Sequence, residues 1–263
     1  MSSPADAQLV VRRSVGVQAF ETCVTQSRKL DDCVDAQTAL GKLFGADHAL
    51  ANVAVHTRNG ERVVSQVIRM VRFDLNRQRH VIFLVQSNDF TESGKIAMGH
   101  PSGAYLSYIV FRHRAKWEVL TREIAHEKRG VWGRIDYIDA NEKDRFRFYG
   151  LPNNKIMMAI WAGDMGQGFG SEWIDFHQID LGVAVNRDTY RGQVPIFSSD
   201  CSGLGVPEGP DMKGKYKIDA SQNPPVITVV ERYFKNCSNA PSGHRSVTKI
   251  YRVNKETGVY AHE

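Results

Sequence analysis

Long apolar runs are missing from this 263-residue chain. None approaches the roughly 20 residues that cross a bilayer as a helix, so a soluble protein without a membrane span is expected, with room left for a lipid anchor on a precursor. Low-complexity tracts are missing as well. No Cys-x-x-Cys occurs, which removes thiolate zinc sites and thioredoxin-type redox motifs. Charge of one sign is scarce: 34 Lys and Arg stand against 29 Asp and Glu, a formal +5 and a pI of about 9.0. Arg62, Arg69, Arg72, Arg77 and Arg79 alternate with apolar residues, the pattern of a solvated strand face rather than an anion-binding patch. No helix-turn-helix, zinc-finger or RNP-type signature accompanies them, so no nucleic-acid partner is expected.

What is present is alternation. With 42% hydrophobic residues, the chain can bury a full core without a metal or cofactor. Lys155 to Leu181 reads as an apolar strand, a glycine-rich bend at Gly166 to Gly170, and a second strand with one wet face at Trp173, Asp175 and His177. Glycine supplies the positive φ that such connections need. The same pattern recurs at His80 to Phe111 and at Val226 to Val253. Asn52 to Thr57, the Asn59-Gly60 turn and Arg62 to Leu75 form a further hairpin. Tyr105 to Phe111 pairs with Trp117 to Ala125, and short strands follow at Val131 to Ile138 and Phe146 to Tyr149. Gln86 to Pro101 reads as an exposed loop and Val194 to Pro210, rich in proline and glycine, as irregular coil. The expected fold is mainly β, with antiparallel hairpins in a propeller-like ring or a barrel or sandwich. Residues 1–16 are expected to be disordered or extended. Residues 17–46 form a helical brace of two short helices, with Asp31 or Asp32 as N-cap and Gly45 as stop, and 47–263 form one β domain.

The four cysteines fall by position into Cys23 with Cys33 and Cys201 with Cys237, other pairings staying open. An even count at wide spacings favours an oxidising compartment, hence a periplasmic or secreted protein. The opening Met1 to Asp6 resembles the start of a mature segment re-initiated for expression.

Three motifs fail on inspection. His126-Glu127 opens like a zinc-protease helix, but Gly130 stands where the second histidine is needed. Asp136, Asp139, Asn141, Glu142 and Asp144 gather oxygen ligands, yet the calcium-loop framework is absent and a solvated acidic turn is preferred. Ser199 to Gly203 compares with the nucleophile loop of chymotrypsin-like proteases, for which His48 or His56 with Asp74 could serve. Its nucleophile position, however, is Cys201, and a disulfide there would forbid attack. No catalytic residue and no metal ligand is therefore assigned.

His100-Pro101-Ser102-Gly103-Ala104-Tyr105 carries a Ser-Gly-x-Tyr segment, and Pro241-Ser242-Gly243-His244 repeats Pro-Ser-Gly. The first resembles the cleft-plugging loop of periplasmic lysozyme inhibitors and related immunity proteins, which are similarly secreted, disulfide-bearing β-proteins. That resemblance implies an inhibitory loop at Ser102, Gly103 and Tyr105, against the plainer reading of a bulged turn into a strand. A rigid tip loses little entropy on binding, and tyrosine brings area with a polar end. Gln167 and Phe169 in the central bend, with Ser242, Gly243 and His244, are further candidate contacts. Core packing is preferred for Trp173. The expected function is non-enzymatic: an immunity protein or inhibitor occluding a secreted, cell-wall-type hydrolase or toxin. The alternatives are a glycan- or peptidoglycan-binding module stacking sugars on Tyr105, Phe169 and Trp173, or a secreted effector or hydrolase with an unrecognised site.

Overall fold

The computed structural model describes residues 9–16, 34–45, 52–98, 102–130, 134–135, 146–166, 169–187, 189–200, 211–222, 224–234 and 241–263. The fold is mainly antiparallel β with one short helix among the described residues. All four cysteines, the helix expected before Asp31 and the acidic turn at 136–144 lie outside the described residues. Where one β domain is expected over 47–263, the chain divides into two compact units.

The first unit is a seven-stranded sheet curled into a half-barrel. It contains β1 (Leu9–Gly16), β2 (Val53–Arg58), β3 (Glu61–Leu75), β4 (Gln78–Asp89), β5 (Ala104–His113), β6 (Trp117–Glu123) and β7 (Lys128–Arg129). The order is β1-β3-β4-β5-β6, with β2 also on β3 and β7 also on β5. Turns of mirror-image handedness close its hairpins, because their twist matches that of the strands they join. Asn59 and Gly60 have φ of 49° and 86°, and Asn76 and Arg77 have 51° and 62°. The helix α1 (Ala36–Phe44) buries Ala39, Leu40 and Leu43 in one core with Val67, Val85, Phe83, Ile109 and Phe111. Its N-cap is Asp35, one turn after the expected Asp31 or Asp32. The Asp35 carboxylate accepts from both the backbone N–H and the hydroxyl of Thr38, each at 2.8 Å, a pair of bonds that decides among three nearby aspartates. Gly45, at φ 66°, ends the helix as expected, its N–H donating to the Gly41 carbonyl.

Residues 86–89 belong to β4, not to the expected loop. The polar Gln-Ser-Asn-Asp run survives inside a sheet because its groups are satisfied across strands. Ser87 Oγ lies 2.6 Å from Ser65 Oγ, which lies 2.7 Å from His56 Nε2. The segment Asp180–Asp188 also belongs to this unit. It lies along β6: Arg122 and Val185 form a parallel bridge, and the Asn186 side-chain amide donates to Thr121 Oγ1 at 2.6 Å. A sheet edge is thereby paired rather than left open.

The second unit is an eight-stranded antiparallel meander of β8 (Phe146–Leu151), β9 (Lys155–Gly166), β10 (Phe169–Asp180), β11 (Tyr190–Asp200), β12 (Asp211–Asp219), β13 (Val226–Phe234), β14 (Pro241–Val253) and β15 (Tyr260–His262). The expected central hairpin is β9-β10. Its core holds Leu151, Met157, Trp161, Ile174, Phe176, Ile227 and Tyr251. The coil expected from Val194 is strand to Asp200. Pro195 stands exposed between buried Val194 and Ile196, beside a bulge at Glu172/Trp173. The ladder to β12 runs only through Phe197 and Ser198, so proline removes no bond on that side. Three strands separate β8 from β12 in the sheet order, yet the Tyr149 and Tyr216 hydroxyls lie 3.2 Å apart. This sheet is therefore curled as well.

Candidate binding cavity

The curl of the second unit opens a cavity of about 490 Å³ bounded by Arg147, Trp161, Glu172, Ile196, Phe197 and the Lys213–Tyr216 stretch of β12. Its volume is in the range of small-molecule sites, ~300–1,000 Å³. Alternation on β8 buries Phe146 and Phe148 and turns Arg147, Tyr149 and Leu151 to the other face. On β12 it sets Lys213, Lys215 and Lys217 against Gly214, Tyr216 and Ile218. Gly214 is required by crowding. A Cβ there would stand 2.9 Å from Val229 Cγ1 and 3.3 Å from the Ile196 carbonyl oxygen.

Arg147 is the best-placed charged group of the cavity. Its guanidinium carbon lies 4.9 Å from the centroid of the Trp161 ring, a cation–π contact that fixes the plane of the fork. Trp161 packs edgewise on Tyr216, centroids 5.0 Å apart at 64°. The Tyr149 and Tyr216 hydroxyls, 3.2 Å from each other, adjoin the guanidinium. Burial works against its charge, but the Tyr216 and Tyr149 hydroxyls outweigh burial and raise its pKa further. Burial, reinforced by the bond to Tyr149, pushes the Tyr216 phenol far above its ordinary value. The cavity therefore presents the Arg147 guanidinium beside the Tyr149 and Tyr216 hydroxyls, with Lys213, Lys215 and Glu172 also in its wall.

A second polar cluster is buried in this unit. Glu231 is fully inaccessible and pairs with Lys249 Nζ at 2.9 Å, while the Tyr233 hydroxyl donates to its other oxygen at 2.5 Å. The carboxylate holds the Lys249 ammonium charged, raising its pKa, and likewise raises the Tyr233 phenol.

The sequence-predicted contacts are spread over both units. Ser102 and Gly103 lead into β5, with Gly103 pressed against β7: a Cβ there would lie 2.9 Å from the Arg129 carbonyl oxygen. Tyr105 is a half-buried strand residue paired with Lys128. The Arg58 guanidinium sits 3.6 Å from its ring centroid and Lys128 Nζ 5.5 Å, and Lys128 also pairs with Asp89 at 2.5 Å. Burial lowers the Arg58 pKa, against the pull of Tyr105 and Asp89. Ser242, Gly243 and His244 lie within the backbone of β14 rather than in a turn, Phe169 starts β10, and Gln167 lies outside the described residues. Trp173 is half-buried opposite Pro195. His56, weighed as a catalytic base, instead bonds Ser65 and stacks on Phe44 at 4.0 Å. Ser65 and Ser87 are 0% and 1% exposed, out of reach of a substrate.

Among the described residues no three His, Cys, Asp or Glu side chains group as metal ligands would, and no helix is long and apolar enough to cross a membrane. No protein-family model matches the chain, and neither a curated protein nor a solved structure matches it.

Proposed function

We propose that this is a binding protein whose eight-stranded unit takes an acidic carbohydrate in the cavity beside Arg147. The observation that carries the reading is the guanidinium set over the Trp161 ring beside Tyr149 and Tyr216, in a cavity whose rim includes Lys213 and Lys215. A preset planar fork matches a carboxylate bidentately and loses little side-chain freedom in doing so. Tyrosine hydroxyls and the Glu172 carboxylate suit the hydroxyls of a sugar, and Phe197 and Ile196 offer it apolar contact. The cavity takes precedence over the inhibitor reading because Tyr105, the residue that would enter a hydrolase cleft, already carries Arg58 and Lys128 on its ring.

Calorimetric titration with a hexuronate disaccharide, its neutral counterpart and pyrophosphate tests this. The acidic sugar is expected to bind best, and Arg147→Ala to weaken it at least about tenfold, as loss of a charge-assisted contact of ~1.5–3 kcal/mol requires. Equal binding by the Arg147→Ala variant, or a preference for pyrophosphate, would refute the proposal.

A further inference from the structure

We infer that the ligand is the end of a polymer, and that the chain beyond the cavity lies along the outer face of β12 and β13 as a linear acidic polysaccharide. The inference rests on the cavity reading for its starting point and on a separate observation for its course. Lys213 and Lys215, which bound the cavity, continue in Lys217 as an exposed row. Residues two apart on a strand share a face at a spacing of ~6.7 Å.

Lys213 stands directly opposite Arg232 on β13. Like charges in register destabilise a sheet, and among the described residues no ion pair offsets them. The residues opposite the row are Thr228, Val230 and Arg232, followed on β14 by Ser246, Thr248 and Ile250. Glu231, the carboxylate nearest in sequence, points to the opposite face and is inaccessible. Asp219 at the end of β12 is held by Ser221 and Gln222, whose bonds lower its pKa. Among the described residues Arg252 is matched, by Glu263 at 2.7 Å. A row of cations opposed by another cation is complementary to a chain of regularly spaced anions. Single-stranded nucleic acid is bound through aromatic platforms on which bases stack. Among the described residues this face carries one aromatic, Phe197 opposite Lys213, and otherwise hydroxyls and aliphatic groups, which suit the rings and hydroxyls of a sugar chain better than a run of stacked bases.

The test is a series of oligogalacturonates from the monomer to about ten residues, titrated against the wild type, Lys217→Glu/Arg232→Glu and Arg147→Ala, with a single-stranded oligodeoxynucleotide of equal charge in parallel. Affinity is expected to rise with length at least about tenfold and to fall steeply with salt, as multiple anion contacts require. The outer-face double variant should remove that gain, leave monomer binding unchanged, and unfold at the same or a higher urea concentration because Lys213 loses a like-charged neighbour. Length-independent affinity, or a length gain that survives the double variant, would overturn the inference. Tighter binding of the oligodeoxynucleotide would overturn it in favour of nucleic acid. Failure of the cavity reading looks different: the monomer does not bind and Arg147→Ala changes nothing, whatever the outer-face variant does to long chains.

Discussion

Gly103→Ala separates a packing glycine from a contact glycine. At Gly103 an added Cβ would meet the Arg129 carbonyl oxygen at 2.9 Å, Lys128 Cβ at 3.1 Å and the Arg129 nitrogen at 3.2 Å. Two of these three are backbone atoms of β7, which is held to β5 by the pairs Ala104–Arg129 and Tyr105–Lys128. The methyl group cannot rotate away, so β7 must retreat by ~0.5–1 Å to restore ordinary contact, loosening Lys128 from Asp89 and Tyr105. Inserting a methylene into a packed site costs ~1–3 kcal/mol. The backbone here is not in the left-handed region, so alanine recovers ~0.4–1 kcal/mol through the unfolded chain. The central values leave a net loss of about 1 kcal/mol. With a urea dependence of ~1–3 kcal/mol/M, the midpoint should fall by ~0.5–1 M. Ser102→Ala, half-exposed beside it, should stay within ~0.5 kcal/mol. A Gly103→Ala protein with an unchanged or higher midpoint would refute the reasoning and return the glycine to the role of a partner contact.

Leu40→Ala, at a fully buried position of α1, should destabilise by ~2–5 kcal/mol, and Asp35→Ala by ~1 kcal/mol through the lost cap; urea titration reads both, and a larger loss for Asp35→Ala would contradict the packing described. Burial holds the His80 and His56 imidazoles below the ordinary histidine pKa, against the bonds at Gln78 and Thr57. Below pH ~6.5 the unfolded chain therefore binds protons that the folded one does not, so this stability is full above that pH and declines as pH falls through the folded values. Melting temperature measured from pH 8 to 5 should drop on the acid side, and His80→Gln should flatten the drop; an identical pH profile would exclude His80 as its source. Tyr216→Phe removes the bond to Tyr149 and should weaken acidic-sugar binding several-fold at a stability loss of ~1 kcal/mol, read by paired calorimetry and urea titration.

The fold was legible where the side-chain period and the turn chemistry agreed. Asn59-Gly60 and the alternation around it define β2 and β3, and Gly45 ends α1 because glycine alone enters the left-handed region without cost. Legibility failed where polarity was mistaken for exposure. Ser87 sits inside a strand because Ser65 on the neighbouring strand satisfies it, a partner relation no local window contains, and Asn88 accepts from Gln86 on its own strand. Pro195 suggested coil, yet it occupies an exposed position where the neighbouring ladder is incomplete. The alternation Met212, Gly214, Tyr216 and Ile218 against three lysines was a period-2 signal for β12 that the surrounding proline and glycine obscured.

The candidate site was less legible than the fold, for a geometric reason. Short motifs reveal a site when one loop supplies its groups, as Ser-Gly-x-Tyr would have done. Here Arg147, Trp161, Glu172, Phe197 and Tyr216 come from five successive strands, and no two are closer than eleven residues in sequence. Only the curl that brings Tyr149 to Tyr216, 67 positions apart, converts them into one surface. A flat meander of the same strands would set β8 and β12 four interstrand spacings apart, ~19 Å at 4.7–4.9 Å each, and Arg147 would lose its Tyr216 partner. The cavity is thus a property of sheet curvature. Because Gly214 permits the close approach of Val229 and Ile196 within that curved sheet, Gly214→Ala should press on Val229 and Ile196 and weaken acidic-sugar binding by calorimetry while Arg147 and Trp161 stay unchanged.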